Sequence, residues 1–399
     1  MTSVESRRSD AFVNDRKHVF HSWSAQGAIN PLVVARAQGS EFWDEDGKRY
    51  LDFSSQLLNA NIGHQHPKLV AALKEQADLL CTVAPFHANE ARSEAARLIA
   101  EIAPGDLNMV FFTNGGAEAT ENAMRMARLH TGRHKVLTTY RSYHGATGGA
   151  IQLTGDPRRR LLALAHLEDV IMEEGPQFVA AVILETVVGT NGILVPPPGY
   201  LQGVRDICDR HGIVMILDEV MSGFGRCGEW FAVDHWGVTP DLICFAKGVN
   251  SGYVPLGGVV ISDRVSATFR DRQFPGGLTY SGATAAASIN IFREEGIIEH
   301  ARHLGTDVIG PRLEKMKQRH PSIGDVRGIG VFWAIELVRN RDTREMLVPF
   351  NAAGEAAKPM NDLVAACKAR GLWPFSHFNR IHVAPPVNTP DALVNEGLD

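Results

Sequence analysis

Tyr200-Leu201-Gln202-Gly203-Val204-Arg205-Asp206-Ile207-Cys208-Asp209-Arg210-His211 leads through Gly212 into Ile213-Val214-Met215-Ile216-Leu217-Asp218. The first run has helical spacing. The second is apolar at every position until Asp218, which predicts a strand buried on both faces. The same alternation extends in both directions. Upstream, strands are predicted at Met109 to Phe112, Lys135 to Thr139 and Phe178 to Glu185, with helices from Ala117 to about His130 and from Leu164 to Glu174. Downstream, Leu242 to Ala246 and Gly258 to Ser262 read as two more strands. Apolar strands alternating with helices indicate a mostly parallel sheet covered on both faces, an α/β fold.

The flanks differ. Residues 36–53 carry the alternation of a small hairpin or meander, and a helix is expected to start near Pro67. After about Ile297 we expect a helix from Ile298 to about Arg319, one glycine-punctuated strand from Val326 to Leu337, a helix from Pro359 to Arg370 and a strand from Arg380 to Ala384. An amphipathic helix begins near Pro390-Asp391. This is a second, smaller α+β unit.

The chain has 399 residues, 44% hydrophobic and 21% charged, which excludes a disordered or fibrous protein. Lys plus Arg is 40 against 45 acidic residues, so a nucleic-acid groove is not expected. Apolar runs are far shorter than the ~20 residues of a membrane helix, and the N-terminus lacks a signal-peptide core. Five widely spaced cysteines without a C-x-x-C favour free thiols in a reducing compartment, the cytoplasm. His64 and His66 lack a companion acidic or cysteine cluster, so turn chemistry is preferred there and no metal is expected.

In open parallel sheets, ligands bind beyond the carboxyl ends of the strands. Those ends carry Gly115-Gly116-Ala117, Tyr143-His144-Gly145, Glu185, Asp218 and Lys247. Small residues opening a helix can cradle a phosphate. Val220, two residues past Asp218, faces the same way in extended geometry, so an acid and an apolar group could meet one aromatic ring. A lysine desolvated at a sheet mouth becomes a nucleophilic amine. Phosphate cradle, carboxylate, stacking aromatic and amine together are what pyridoxal 5'-phosphate requires.

The stretches Leu217-Asp218-Glu219-Val220 through Gly223-Phe224-Gly225-Arg226, and Phe245-Ala246-Lys247-Gly248 with Pro255-Leu256-Gly257-Gly258, resemble the class III (omega-type) aminotransferases. So do Asn114-Gly115-Gly116-Ala117-Glu118-Ala119, Pro196-Pro197-Pro198-Gly199-Tyr200 and Thr279-Tyr280-Ser281-Gly282. The resemblance runs from about His21 to Pro386 and includes taurine–pyruvate and β-alanine–pyruvate aminotransferases. It implies a fold type I pyridoxal-phosphate enzyme: a large domain with a mostly parallel mixed sheet, and a smaller α+β domain built from the N-terminal segment and the C-terminal part. The expected boundaries are 1–63, 64–296 and 297–399. It also implies a homodimer with shared active sites, or a tetramer of such dimers.

By this resemblance Lys247 is the Schiff-base lysine and proton shuttle, and Asp218 pairs with the pyridinium nitrogen. Val220 and Tyr143 sandwich the ring. Gly115, Gly116 and Ala117 serve the phosphate, with Thr279 reaching it from the neighbouring subunit. His144 and Glu185 complete the cofactor site. Trp23 lines the substrate pocket. The chain departs from the family at three points. Ala117 stands where a hydroxyl residue is usual, and Glu185-Thr186 replaces Glu-Pro. His382 occupies the position of a carboxylate-binding arginine, with Arg380 two residues earlier on the same strand face. We therefore expect amino transfer from an amine or omega-amino acid to a keto acid, pyruvate favoured over α-ketoglutarate, with Arg380 as a substrate residue. The alternatives are an aminomutase or decarboxylase of the same fold and, more distantly, a nucleotide-binding oxidoreductase, which predicts a G-x-G-x-x-G that is absent. Two places look abridged against the family, and chain discontinuities rather than deletions are expected between Arg158 and Ala163 and near Gly282–Ala283.

Overall fold

A computed structural model of the chain describes residues 9–22, 24–139, 142–152, 163–278, 285–350 and 352–399. Trp23, Thr279 and both abridged stretches lie outside the described residues.

The N-terminal meander is β1 (Val34–Gln38), β2 (Glu41–Asp44) and β3 (Arg49–Phe53), paired antiparallel. The central sheet comprises β4 (Leu107–Thr113), β5 (Lys135–Thr138), β6 (Val179–Glu185), β7 (Val214–Asp218), β8 (Leu242–Phe245) and β9 (Gly257–Ser262). Its order is β4-β9-β8-β7-β6-β5. β5 to β8 pair parallel, and β9 runs antiparallel to both β8 and β4.

The alternation of side chains explains why these strands read as unbroken apolar runs. Met215, Leu217, Ile243 and Val260 join the core on one face, and Val214, Ile216, Leu242 and Val259 the core on the other. The Gly116–Thr131 helix seals the second face with Ala119, Ala123, Met124 and Ala127. β9 is reversed because the segment joining it to β8 holds only a single 3₁₀ turn, Lys247–Val249. A parallel return needs a crossover of a dozen or more residues. The reversal therefore places Lys247 in a tight connection at the sheet's carboxyl edge.

The second sheet adds β10 (Ile323–Ile329), β11 (Phe332–Asn340), β12 (Glu345–Met346), β13 (Leu372–His377) and β14 (Arg380–Val383). Its order is β1-β2-β3-β13-β14-β11-β10, with β12 on β11. The two ends of the chain thus share one sheet, joined by parallel pairing of β3 with β13.

Three expectations need correction. The strand read from Val326 to Leu337 is the β10–β11 hairpin, turning at Gly330, whose φ of +55° suits glycine and where a Cβ would strike the Cys227 backbone. The helix read from Ile298 to Arg319 is continuous but widens into a π segment at Leu304–Ile309. Pro311 lies just beyond, and its missing N–H disturbs the regular ladder. β13 escaped the sequence reading because Pro374 argues against a central strand.

Candidate active site

A cavity of about 380 Å³ opens at the carboxyl edge of the central sheet. Each parallel strand delivers one element of its wall. Asn114, Gly115, Gly116 and Ala117 follow β4, and Tyr143, His144 and Gly145 follow β5. Glu185 ends β6, Asp218 ends β7 with Val220 beyond it, and Lys247 follows β8. The parallel register sets Glu185 beside Asp218, and Asp218 beside Cys244. Every sequence-predicted cofactor residue that the structure describes therefore meets in one place.

Asp218 is 5% exposed. One carboxylate oxygen lies 2.8 Å from His144 Nδ1, and the other accepts the Val220 N–H at 3.0 Å. His144 Nε2 lies 3.1 Å from the Thr138 hydroxyl, and the His144 carbonyl accepts from Thr120 Oγ1 at 2.7 Å. Burial works to lower the imidazole's pKa, but the hydrogen bond and charge of Asp218 outweigh it and raise the pKa. His144 is thus a buried backing for Asp218. Thr138 and Thr120, which sequence reading missed, hold it in turn; a threonine on a strand or helix gives no local sign of such a role.

Lys247 is half-buried on the cavity wall, and desolvation lowers its amine pKa against the opposing pull of Asp218 and Glu185. Its backbone φ of 45° lies in the left-handed region, a strained conformation typical of functional sites. Glu185 accepts the Tyr143 and Gly189 N–H groups, each at 2.8 Å. Burial, and then the charge of Asp218, push its carboxyl up to about 7.

That shift has a stability consequence. The ordinary value is 4.5 and the folded value about 7, so the folded protein keeps a proton that the unfolded chain releases. The contribution is fully present below about pH 4.5 and is lost as pH rises through about 7. In cofactor-free protein, Glu185→Gln should flatten the change in unfolding free energy between pH 5 and 8, read from urea denaturation, by about 2–3 kcal/mol. An unchanged slope in the variant would assign the titration to another group.

The substrate candidates fare differently. Arg380 is 4% exposed, does not line the cavity, and donates from its guanidinium to the Asn191 carbonyl. His382 beside it is fully buried, and neither ring nitrogen has a hydrogen-bond partner among the described residues. His64 and His66 diverge, His64 to Asp52 at 2.9 Å and His66 to Glu295 at 3.2 Å. No metal-binding group and no helix long and apolar enough to cross a membrane occur among the described residues.

The fold and this strand-end constellation define an enzyme of the fold type I, pyridoxal-phosphate-dependent class. The chain belongs to the class III aminotransferases: the family profile matches residues 23–163 and 158–399. It is 35% identical to 5-aminovalerate aminotransferase DavT of Pseudomonas aeruginosa, over 93% of each chain. It is 31% identical to taurine–pyruvate aminotransferase of Bilophila wadsworthia, over 96% of this chain and 95% of the relative. Among solved structures, taurine:2-oxoglutarate aminotransferase from Bifidobacterium kashiwanohense, in complex with PLP and glutamate, superposes with a TM-score of 0.92. It is 39% identical, with 97% of this chain and 95% of that one covered.

The residues present fit the cofactor. The Gly116–Thr131 helix has no side-chain cap at its N-terminus, leaving donors for an anion. A Cβ on Gly116 would lie 2.9 Å from both methyls of Val220, so only glycine keeps this wall open. Beside it are a buried carboxylate and a partly desolvated amine facing the cavity, the groups that the ring nitrogen and aldehyde need.

Proposed function

We propose that the chain transfers an amino group from an amine or omega-amino acid to a keto acid, with Lys247 as covalent anchor and proton carrier. The observation that carries this reading is the convergence of the Lys247 amine, the Asp218 carboxylate and an uncapped helix N-terminus on one cavity. Bound there, pyridoxal phosphate supplies an aldehyde to take up the amino group and a ring that accepts the electron pair freed at the substrate carbon. Lys247 Nζ would hold the aldehyde. Once free, the same amine would carry the proton at the substrate carbon. Asp218, set by His144, holds the proton on the ring nitrogen. Val220 and Tyr143 would confine the ring, and Gly115, Gly116 and Ala117 would offer backbone N–H groups to the phosphate. Gly116→Ala is expected to weaken cofactor binding about tenfold, because the stiff β-branched Val220 cannot yield. An unchanged Kd in a cofactor titration would move the phosphate elsewhere.

We take pyruvate as the favoured acceptor. Burial first, and then the charges of Arg380, His377 and Arg327, push the His382 imidazole down to about 3. The neutral ring supplies no cation for a second carboxylate. α-Ketoglutarate is the second reading, supported by the likeness to the taurine:2-oxoglutarate enzyme. The enzyme would act in the cytoplasm, in keeping with five free cysteines. It would work as a homodimer, or a pair of dimers, with Thr279 of one subunit near the other's phosphate and Trp23 at the substrate. An isolated monomer that is fully active at high dilution would remove the sharing.

The deciding experiment is a panel of taurine, β-alanine, 5-aminovalerate and putrescine with each acceptor. The expected result is alanine formed from pyruvate faster than glutamate from α-ketoglutarate. Faster glutamate formation would reverse the acceptor assignment. Donor loss without acceptor consumption would indicate a mutase or decarboxylase.

A further inference from the structure

Arg226 is the largest fully buried side chain among the described residues. Its guanidinium has no carboxylate within ion-pair distance among those residues and is held by neutral oxygens alone. Nη1 donates to the carbonyls of Pro385 at 2.6 Å and Val331 at 3.3 Å. Nη2 donates to Asn61 Oδ1 at 2.8 Å and Ser55 Oγ at 3.0 Å. Burial pulls its pKa down to about 10, so it remains a cation at neutral pH. Enclosing a charge without a counter-ion is costly, and an apolar side chain could fill the same space. The location of the four oxygens shows what the cation secures.

Val331 belongs to the second sheet's β10–β11 turn, and Pro385 to the segment just after β14. Ser55 and Asn61 bracket the segment that brings Leu57 and Asn59 to the cavity wall. That segment is strained: Ser55, Gln56 and Leu58 have φ of 45°, 58° and 60°. Such angles persist in non-glycine residues only where the surroundings enforce them. Asp52 restrains one side, accepting from the Ser54 and Gln56 backbone N–H groups. Ser55 Oγ, besides accepting from Arg226, donates to the Ala384 carbonyl at 2.7 Å. Asn61 in turn donates to the Phe224 carbonyl at 2.7 Å. Its amide fills the space that a Cβ on Gly248 would need, directly after Lys247.

We propose that Arg226 is a positioning residue of the amino-transfer site, fixing the strained Ser55–Asn59 wall of the cavity and, through Asn61, the backbone beneath Lys247. The two effects are separable. This rests on the assignment of Lys247 made above. Arg226→Lys replaces a planar fork by a point charge that cannot serve all four oxygens. It should raise the donor KM about tenfold with a smaller change in kcat, and weaken pyridoxal phosphate binding several-fold. Asn61→Ala leaves the cation on its other three oxygens but releases Gly248, and should lower kcat about tenfold at near-normal KM. Melting temperature of the cofactor-free proteins and cofactor Kd are measured alongside. Both variants melting lower while keeping wild-type KM, kcat and Kd would reduce Arg226 to a core residue and overturn the proposal. If Arg226→Lys does not fold, Asn61→Ala decides alone. A wild-type protein that transfers no amino group would defeat the functional reading instead, and the Kd comparison would still test this one.

Discussion

Lys247→Ala is expected to lower amino transfer by at least about 10⁴-fold, because one side chain supplies both the covalent anchor and the proton carrier. Borohydride reduction followed by denaturation should leave cofactor on the wild-type polypeptide and none on the variant, as read by intact mass. Stability should not fall with activity. The lysine is a partly desolvated amine on the cavity wall, at a strained φ of 45°. Removing a desolvated cation relieves a cost, so the cofactor-free variant should melt at or above the wild-type temperature. Covalently retained cofactor in the variant would show that another amine is the anchor. A large drop in melting temperature would show that Lys247 supports the loop as well as the chemistry.

Asp218→Asn is expected to leave the cofactor bound while slowing turnover by about 10²–10³-fold. The amide keeps the shape of the carboxylate and can still accept from His144 Nδ1, so the strand end should stay in place. What disappears is the fixed negative charge that holds the ring nitrogen protonated. His144 provides an independent readout. The Asp218 hydrogen bond and charge are what overcome burial and raise its pKa. In the variant its imidazole should therefore titrate at lower pH by NMR. Turnover within a few-fold of wild type would assign Asp218 a structural role. An unmoved His144 titration would place the imidazole's partner elsewhere.

The central sheet was legible in the sequence because burial on both faces leaves a local mark: β6 to β9 are apolar at almost every position. The residues at the strand ends were legible for the same reason, since each interrupts or follows such a run. Asp218 and Lys247 could be named from position alone, and the family resemblance added their roles. The second sheet was less legible. Its strands are half-exposed, β13 carries Pro374 and the β10–β11 turn is only Gly330-Val331, so one hairpin read as a single strand and β13 was missed. The pairing of β3 with β13 joins segments more than 300 residues apart, and no periodicity encodes that.

The sequence by itself determined which chemical groups this protein owns and the order in which strands and helices present them, because strand and helix patterns are properties of neighbouring residues. Only the tertiary structure decided what those groups are. Lys247 becomes a partly desolvated amine because β8 turns back into β9 around it, and Glu185 shifts to about 7 because the fold buries the end of β6 and sets it beside Asp218. His144 backs Asp218 from 74 residues away. Arg226, an ordinary arginine in the sequence, becomes a buried cation joining the two sheets. Desolvation and through-space charge depend on what surrounds a group in three dimensions, and chain order does not carry that information.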